Sequence, residues 1–140
     1  MIEILNRDCT HPYPPRRTEF TRIFWEALGE GRFLTTRGVR SGRYTFPPKP
    51  ISPHEWSEQV EWVELSGKGK LYSWTTMHAV PAVFAHESPY RICVVDLDEG
   101  VRLATRLMSE GPAPLDSRIE LVVVRYANAN SYAARIIRAG

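Results

Sequence analysis

Pro47, Pro48, Pro50 and Pro53 forbid a helix or a central strand between Phe46 and His54, because each ring fixes φ and removes a backbone donor. The fold must therefore cross an irregular segment there, with ordered structure before and after it. The residues on either side are spaced in pairs. Gly38 and Ser41 have two residues between them in Arg37-Gly38-Val39-Arg40-Ser41-Gly42-Arg43-Tyr44, and so do Ser52 and Glu55 in Ile51-Ser52-Pro53-His54-Glu55. Cysteine knuckles that hold a tetrahedral zinc use this spacing. Glycine offers no donor, serine hydroxyls are poor ligands near neutral pH, and His54 with Glu55 cannot close a four-ligand site. On spacing alone the segment reads as a proline-rich loop crossing.

The chain has 140 residues, enough for one well-filled core with a small appendage. Its hydrophobic share of 43% against 24% charged excludes a disordered tail, and the longest apolar runs, such as Leu121-Val122-Val123-Val124, are strand-length. A formal net charge of +2 argues against a strongly electrostatic nucleic-acid binder. The opening Met1-Ile2-Glu3-Ile4-Leu5-Asn6 lacks the basic start and apolar block of an export signal, so a cytoplasmic location is expected. Cys9 and Cys93 are expected as free thiols, since Cys93 lies within the apolar run Ile92-Cys93-Val94-Val95.

The stretch to Arg17, with Pro12, Pro14 and Pro15, reads as an extended arm laid on something else. A helix follows, capped by Thr18 and ended by Gly29 and Gly31, with Phe20, Ile23, Phe24, Ala27 and Leu28 on one face. Trp25 either widens that face or is exposed for a partner. Arg32 to Thr36 and Arg43 to Phe46 are expected as short strands around the first pair of spaced positions. From Glu61 the pattern turns to strands: Glu61 to Leu65, a turn or bulge at Gly67-Lys68-Gly69, and Leu71 to His78. Gly67-Lys68-Gly69-Lys70 is not a phosphate loop, because neither the spacing nor the following helix is present. Tyr90 to Leu97 and Val101 to Met108 form a hairpin on Asp98-Glu99-Gly100. Its second arm alternates, with Val101, Leu103, Thr105 and Leu107 on one face. Arg118 to Tyr126 and Tyr132 to Arg138 complete five strands, the first of them long and bulged, and predict a small closed barrel of the OB type.

The residues that tie these parts together are Phe24-Trp25-Glu26-Ala27-Leu28-Gly29, Phe46-Pro47-Pro48-Lys49-Pro50, and Glu61-Trp62-Val63-Glu64-Leu65-Ser66-Gly67-Lys68-Gly69-Lys70-Leu71-Tyr72-Ser73-Trp74-Thr75. Together they closely resemble the acyl-CoA-associated OB-fold family, also called domain of unknown function 35. The resemblance covers nearly everything after Arg17. It implies a mainly β fold with an N-terminal arm and helix over 1–31, a rubredoxin-like ribbon over 32–58 and a five-stranded OB barrel over 59–140. It also turns Gly38, Ser41, Ser52 and Glu55 into the positions where ribbon cysteines are expected, hence a degenerate site with no bound zinc. Family members act as non-catalytic partners of thiolase-like enzymes (thiolases, acyltransferases, retro-aldolases) or of MaoC-type hydratases working on acyl-CoA thioesters. The implied role here is an accessory subunit in a hetero-oligomer, with no cofactor of its own and acyl-CoA contacted, if at all, within the complex.

The residues give no independent catalytic reading. No GxSxG elbow is present, and His11, His54, His78 and His86 are scattered. Asp96, Asp98 and Glu99 read as solvated turn residues. For partner binding the candidates are Phe24 and Trp25 on the helix and Phe84 in the apolar loop Ala79 to His86, which either caps the barrel mouth or meets a partner or acyl chain. For the CoA phosphates the candidates are Arg40, Arg43 and Lys49, cationic donors clustered near Phe46 in the sequence. The rival class is a single-stranded nucleic-acid module, with Tyr72 and Trp74 as a stacking platform on one strand face.

Overall fold

The computed structural model describes residues 2–11, 14–87 and 89–137, the His86 side chain excepted. β5 (Lys68–Met77), the longest strand, pairs antiparallel with β6 (Tyr90–Leu97) from Gly69↔Leu97 to Met77↔Tyr90. Gly69 makes their close approach possible: a Cβ there would overlap the Asp96 carbonyl oxygen and lie 2.7 Å from Leu97 Cα. A register shift between Leu71 and Ser73 leaves Tyr72 as the extra residue of a bulge, which bends β5 around the barrel. β7 (Arg102–Leu107) returns antiparallel on β6 through Gly100, whose φ of 90° suits glycine. β8 (Arg118–Arg125) and β9 (Asn130–Ile136) form a second antiparallel pair. β8 joins β5, and β9 meets β7 in parallel at Leu107↔Ala134, so the ring closes as β5-β6-β7-β9-β8. This is the five-stranded OB barrel expected from the sequence.

The barrel is filled by alternate residues of its strands, among them Leu71, Val95, Leu97, Leu103, Leu107, Ile119, Leu121 and Val123, all buried. Each such side chain contributes about 1.5–3 kcal/mol of burial free energy.

A three-stranded sheet stands beside it. β2 (Phe33–Gly38) pairs with β3 (Tyr44–Thr45) on one edge and with β4 (Val60–Leu65) on the other, from Phe33↔Leu65 to Gly38↔Val60. The sequence placed Glu61 to Leu65 with the barrel; instead β4 completes the ribbon sheet, carrying it past residue 58 to Leu65. Gly67, at φ 76°, turns the chain between β4 and β5. Buried Leu65 lies opposite Phe33, and ion pairs between Arg32 and Glu64 (2.8 Å) and between Arg37 and Glu61 (2.9 Å) run along the β2–β4 pairing.

The helix α1 (Arg22–Gly29) packs against β2 of the ribbon sheet and against β8 and β9 of the barrel. Thr18 and Thr21 cap the turn before it reciprocally: the Thr21 N–H donates to Thr18 Oγ1 at 3.1 Å and the Thr18 N–H to Thr21 Oγ1 at 2.9 Å. Gly31, at φ 79°, ends it as its N–H reaches the Leu28 carbonyl. Phe24, Ala27 and Leu28 are buried, whereas Ile23, expected on the same face, is 42% exposed because the short helix turns only the 24/27/28 rows inward. The arm has a partner within the chain: β1 (Ile4–Asn6) runs parallel to β8, with Ile4 opposite Val123. Phe33 is the hub where helix, ribbon and barrel meet, with ring centres 5.5 Å from Phe24, 5.4 Å from Phe46 and 5.3 Å from Tyr132. Among the described residues no helix is long and apolar enough to cross a membrane.

Candidate functional site

The ribbon tip is built by two turns at the far end of β2. In the first, the Gly38 N–H donates to the Arg43 carbonyl (3.0 Å) and the Gly42 N–H to the Gly38 carbonyl (2.9 Å). In the second, the Ser52 N–H donates to the Ser57 carbonyl at 2.8 Å. These turns bring Gly38, Ser41, Ser52 and Glu55 together. A Cβ on Gly38 would overlap Glu55 Oε1 and lie 2.8 Å from Ser41 Oγ and 3.0 Å from Ser52 Oγ. The donor set is one carboxylate and two hydroxyls, which does not fit a structural zinc. His54 turns away to the Tyr44 carbonyl, 3.2 Å from its Nε2, and the described residues hold no cluster of three metal-ligating side chains.

Arg40, Arg43 and Lys49 all lie on this ribbon with exposed side chains, and no carboxylate of the described residues pairs with any of them. The Lys49 N–H is tied to Thr36 Oγ1 at 3.0 Å, which holds the proline segment against β2. The tip also carries the residue that sequence reasoning passed over. Trp56 is 84% exposed at φ 51°, and Val39 and Ile51 are exposed on the same ribbon. A tryptophan in a Pro/Ser/Glu-rich loop, with no apolar periodicity to give it a core partner, was the available signal.

A second feature is a cleft of 930 Å³ on the outer barrel wall. Trp25, Phe84, Tyr90, Arg91, Arg106 and Tyr126 are among its lining residues. Phe84 sits half-buried on a 3₁₀ turn, Ala82–Glu87, edge-on to His11 with ring centres 6.4 Å apart. Arg106 binds Glu87 at 3.0 Å while its guanidinium lies 4.0 Å from the Tyr90 ring centre and 5.4 Å from that of Phe84. Burial raises the Tyr126 phenol above its ordinary value, with the charge of Glu87 adding to it. Flat aromatic faces beside guanidinium donors suit an apolar group that carries a neighbouring anionic one.

The partner-binding candidates separate. Phe24 is 3% exposed and packs on Phe33 and edge-on to Trp25, so it belongs to the core and not to a surface. Its ring is the part of the helix that the sheet can bury; Trp25 remains half-buried at the cleft. Tyr72 and Trp74 are also committed. Arg102 lies 3.8 Å from the Tyr72 ring centre, Arg91 lies 4.5 Å from that of Trp74, and the Trp74 indole N–H donates to the Ala113 carbonyl at 2.9 Å.

Comparison with known proteins agrees with this architecture. Residues 62–124 match the model of the ChsH2 C-terminal OB-fold domain. A DUF35 domain-containing scaffold protein of Pyrococcus furiosus is 30% identical over 101 residues, covering 72% of this chain and 74% of its own. The benzoylsuccinyl-CoA thiolase subunit BbsA of Thauera aromatica is 33% identical over 113 residues, covering 78% of this chain and 77% of its own. Among solved structures, a chain of the Ltp2-ChsH2(DUF35) aldolase superimposes with a TM-score of 0.76 at 27% identity, over 87% of this chain and 98% of that one.

Proposed function

The chain belongs to the DUF35 family of OB-fold proteins, and from that premise we propose that it is a non-catalytic accessory subunit of an acyl-CoA-processing complex, paired with a thiolase-like enzyme. The observation that carries this reading is the near-full-length likeness to a chain of the Ltp2-ChsH2(DUF35) aldolase, beside the kinship with a thiolase subunit. The surface agrees with it. Trp56, Val39 and Ile51 are exposed apolar residues of the ribbon that also carries Arg40, Arg43 and Lys49, and tryptophan with arginine is the composition of interface hot spots. Trp25 and Phe84 at the cleft rim are secondary contact candidates. In this reading Arg40, Arg43 and Lys49 face the phosphates of CoA where the two subunits meet. Cytoplasmic residence belongs to the same reading, in line with Cys9 and Cys93 being free thiols.

Nucleic-acid binding is the less favoured reading, since the Tyr72 and Trp74 rings each already carry an arginine, Arg102 and Arg91, against one face. The test is co-expression with a thiolase-like acyl-CoA enzyme from the same organism. A stable complex is expected, with Trp56→Ala raising its Kd about tenfold or more and Arg40→Glu/Arg43→Glu raising the KM for acyl-CoA while the complex persists. Failure of any thiolase-like or MaoC-like enzyme to co-purify or gain activity would end the proposal.

A further inference from the structure

The atoms that make the ribbon tip unfit for zinc also explain what closes it. In a metal ribbon four side chains reach inward to an ion; here three reach inward to a point above an α-carbon that bears no side chain. Ser41 Oγ donates to Glu55 Oε1 at 3.2 Å and accepts the Arg43 N–H at 3.2 Å, so the carboxylate of the second turn is anchored in the first. Ser52 Oγ and Glu55 Oε2 are buried beside it without a hydrogen-bond partner among the described residues, so the link between the turns runs through Oε1. We infer that the Glu55 carboxylate replaces the metal as the cross-link between the two turns, and that position 38 is glycine because the carboxylate fills its Cβ space. His54 on the Tyr44 carbonyl is the companion tie from the same turn.

Gly38 is not at positive φ, so nothing in its backbone demands glycine. A glutamate tip is ordinarily free to swing away from an added methyl, and Gly38→Ala in a strand would then be neutral or slightly stabilising. A glutamate that serves as a cross-link has no such freedom. The two cases therefore part on one substitution.

Amide hydrogen exchange of Gly42 and Ser52 reports opening of each turn without requiring the barrel to unfold. Gly38→Ala and Glu55→Ala are each expected to speed this exchange about tenfold or more, and the double variant little more than Glu55→Ala alone, because with the carboxylate gone the methyl meets only the Ser41 and Ser52 hydroxyls, which can rotate away. Glu55→Gln, which keeps length and an acceptor oxygen, is expected to retain most of the protection. Wild-type exchange in Gly38→Ala, or additive effects in the double variant, would overturn the inference. Independently, the combined variant Gly38→Cys/Ser41→Cys/Ser52→Cys/Glu55→Cys is expected to take up one zinc per chain and to recover protection. Absence of zinc uptake in that variant, or stoichiometric zinc in the wild-type protein, would likewise refute it.

Discussion

Replacing Phe33 by alanine tests whether helix, ribbon and barrel are one structural unit. The Phe33 side chain is 0% exposed, and its ring stacks on Phe46 of the ribbon while meeting Phe24 of α1 and Tyr132 of β9 edge-on. Truncating a buried phenylalanine costs about 3–5 kcal/mol, the larger values arising where the walls cannot collapse. The walls here belong to three separate elements, so closing the cavity would pull them apart, and about 4–5 kcal/mol is expected. That is a large share of the roughly 5–15 kcal/mol that a domain possesses. With a urea m-value of about 2 kcal/mol/M the midpoint should fall by about 2 M. Phe33→Leu, which keeps most of the volume, should cost only about 1–2 kcal/mol. Urea titrations followed by tryptophan fluorescence and far-ultraviolet dichroism should coincide in the wild-type protein and separate in Phe33→Ala as the helix and ribbon loosen first. A loss below about 1 kcal/mol, or wild-type transitions that already separate, would refute the hub.

Gly69→Ala should be the most damaging single-methyl insertion on β5, costing about 2 kcal/mol or more, because the methyl meets the backbone of Asp96 and Leu97 and not a flexible side chain; thermal denaturation measures it. Burial pushes the Cys93 thiol from its ordinary 9.0 up to about 11, so the folded protein holds that proton where the unfolded chain has lost it. Stability should be intact well below pH 9 and fall by about 2 kcal/mol as pH rises to 11; Cys93→Ala should flatten this slope, and a thiol reagent at pH 8 should modify exposed Cys9 alone. Hydrogen bonding from Arg102 holds the Asp96 carboxyl below the usual carboxylate range, so its stabilising share is present above that range and lost as pH falls. Arg102→Ala should move the Asp96 titration, followed by NMR, upward.

The barrel was legible wherever strand chemistry is local. Tyr90–Leu97 has the predicted bounds, and the alternation that put Leu103 and Leu107 on one face of their strand is observed, that face being the buried one. The two spaced pairs on the ribbon were legible for the same reason, since the turns at Gly38 and Ser52 are short-range. What escaped were choices between distant partners. Nothing in Glu61 to Leu65 says that it pairs with β2 instead of opening the barrel, for either neighbour would bury Leu65. Helical periodicity put Phe24 on the apolar face and Trp25 off it, but that Phe24 is wholly taken up by Phe33 and Tyr132, leaving none of it for a partner, depends on packing with distant residues. Trp56 escaped because exposure of a large apolar residue runs against the burial rule from which a sequence is read.

The pairing of β1 with β8 sets an order of events during synthesis. Ile4–Asn6 leaves the ribosome early, yet its hydrogen-bonding partners, Val123 to Arg125, emerge only after four of the five barrel strands have been made or begun. Until then the arm has no strand to join, and for a time after its release β8 carries an open edge beyond Glu120, where its pairing with β5 stops. Such an edge is a template for whatever strand arrives first, including the arm of another copy. Nascent chains of this protein crowded on one message therefore have a route to strand exchange that a chain folding from local hairpins alone would lack.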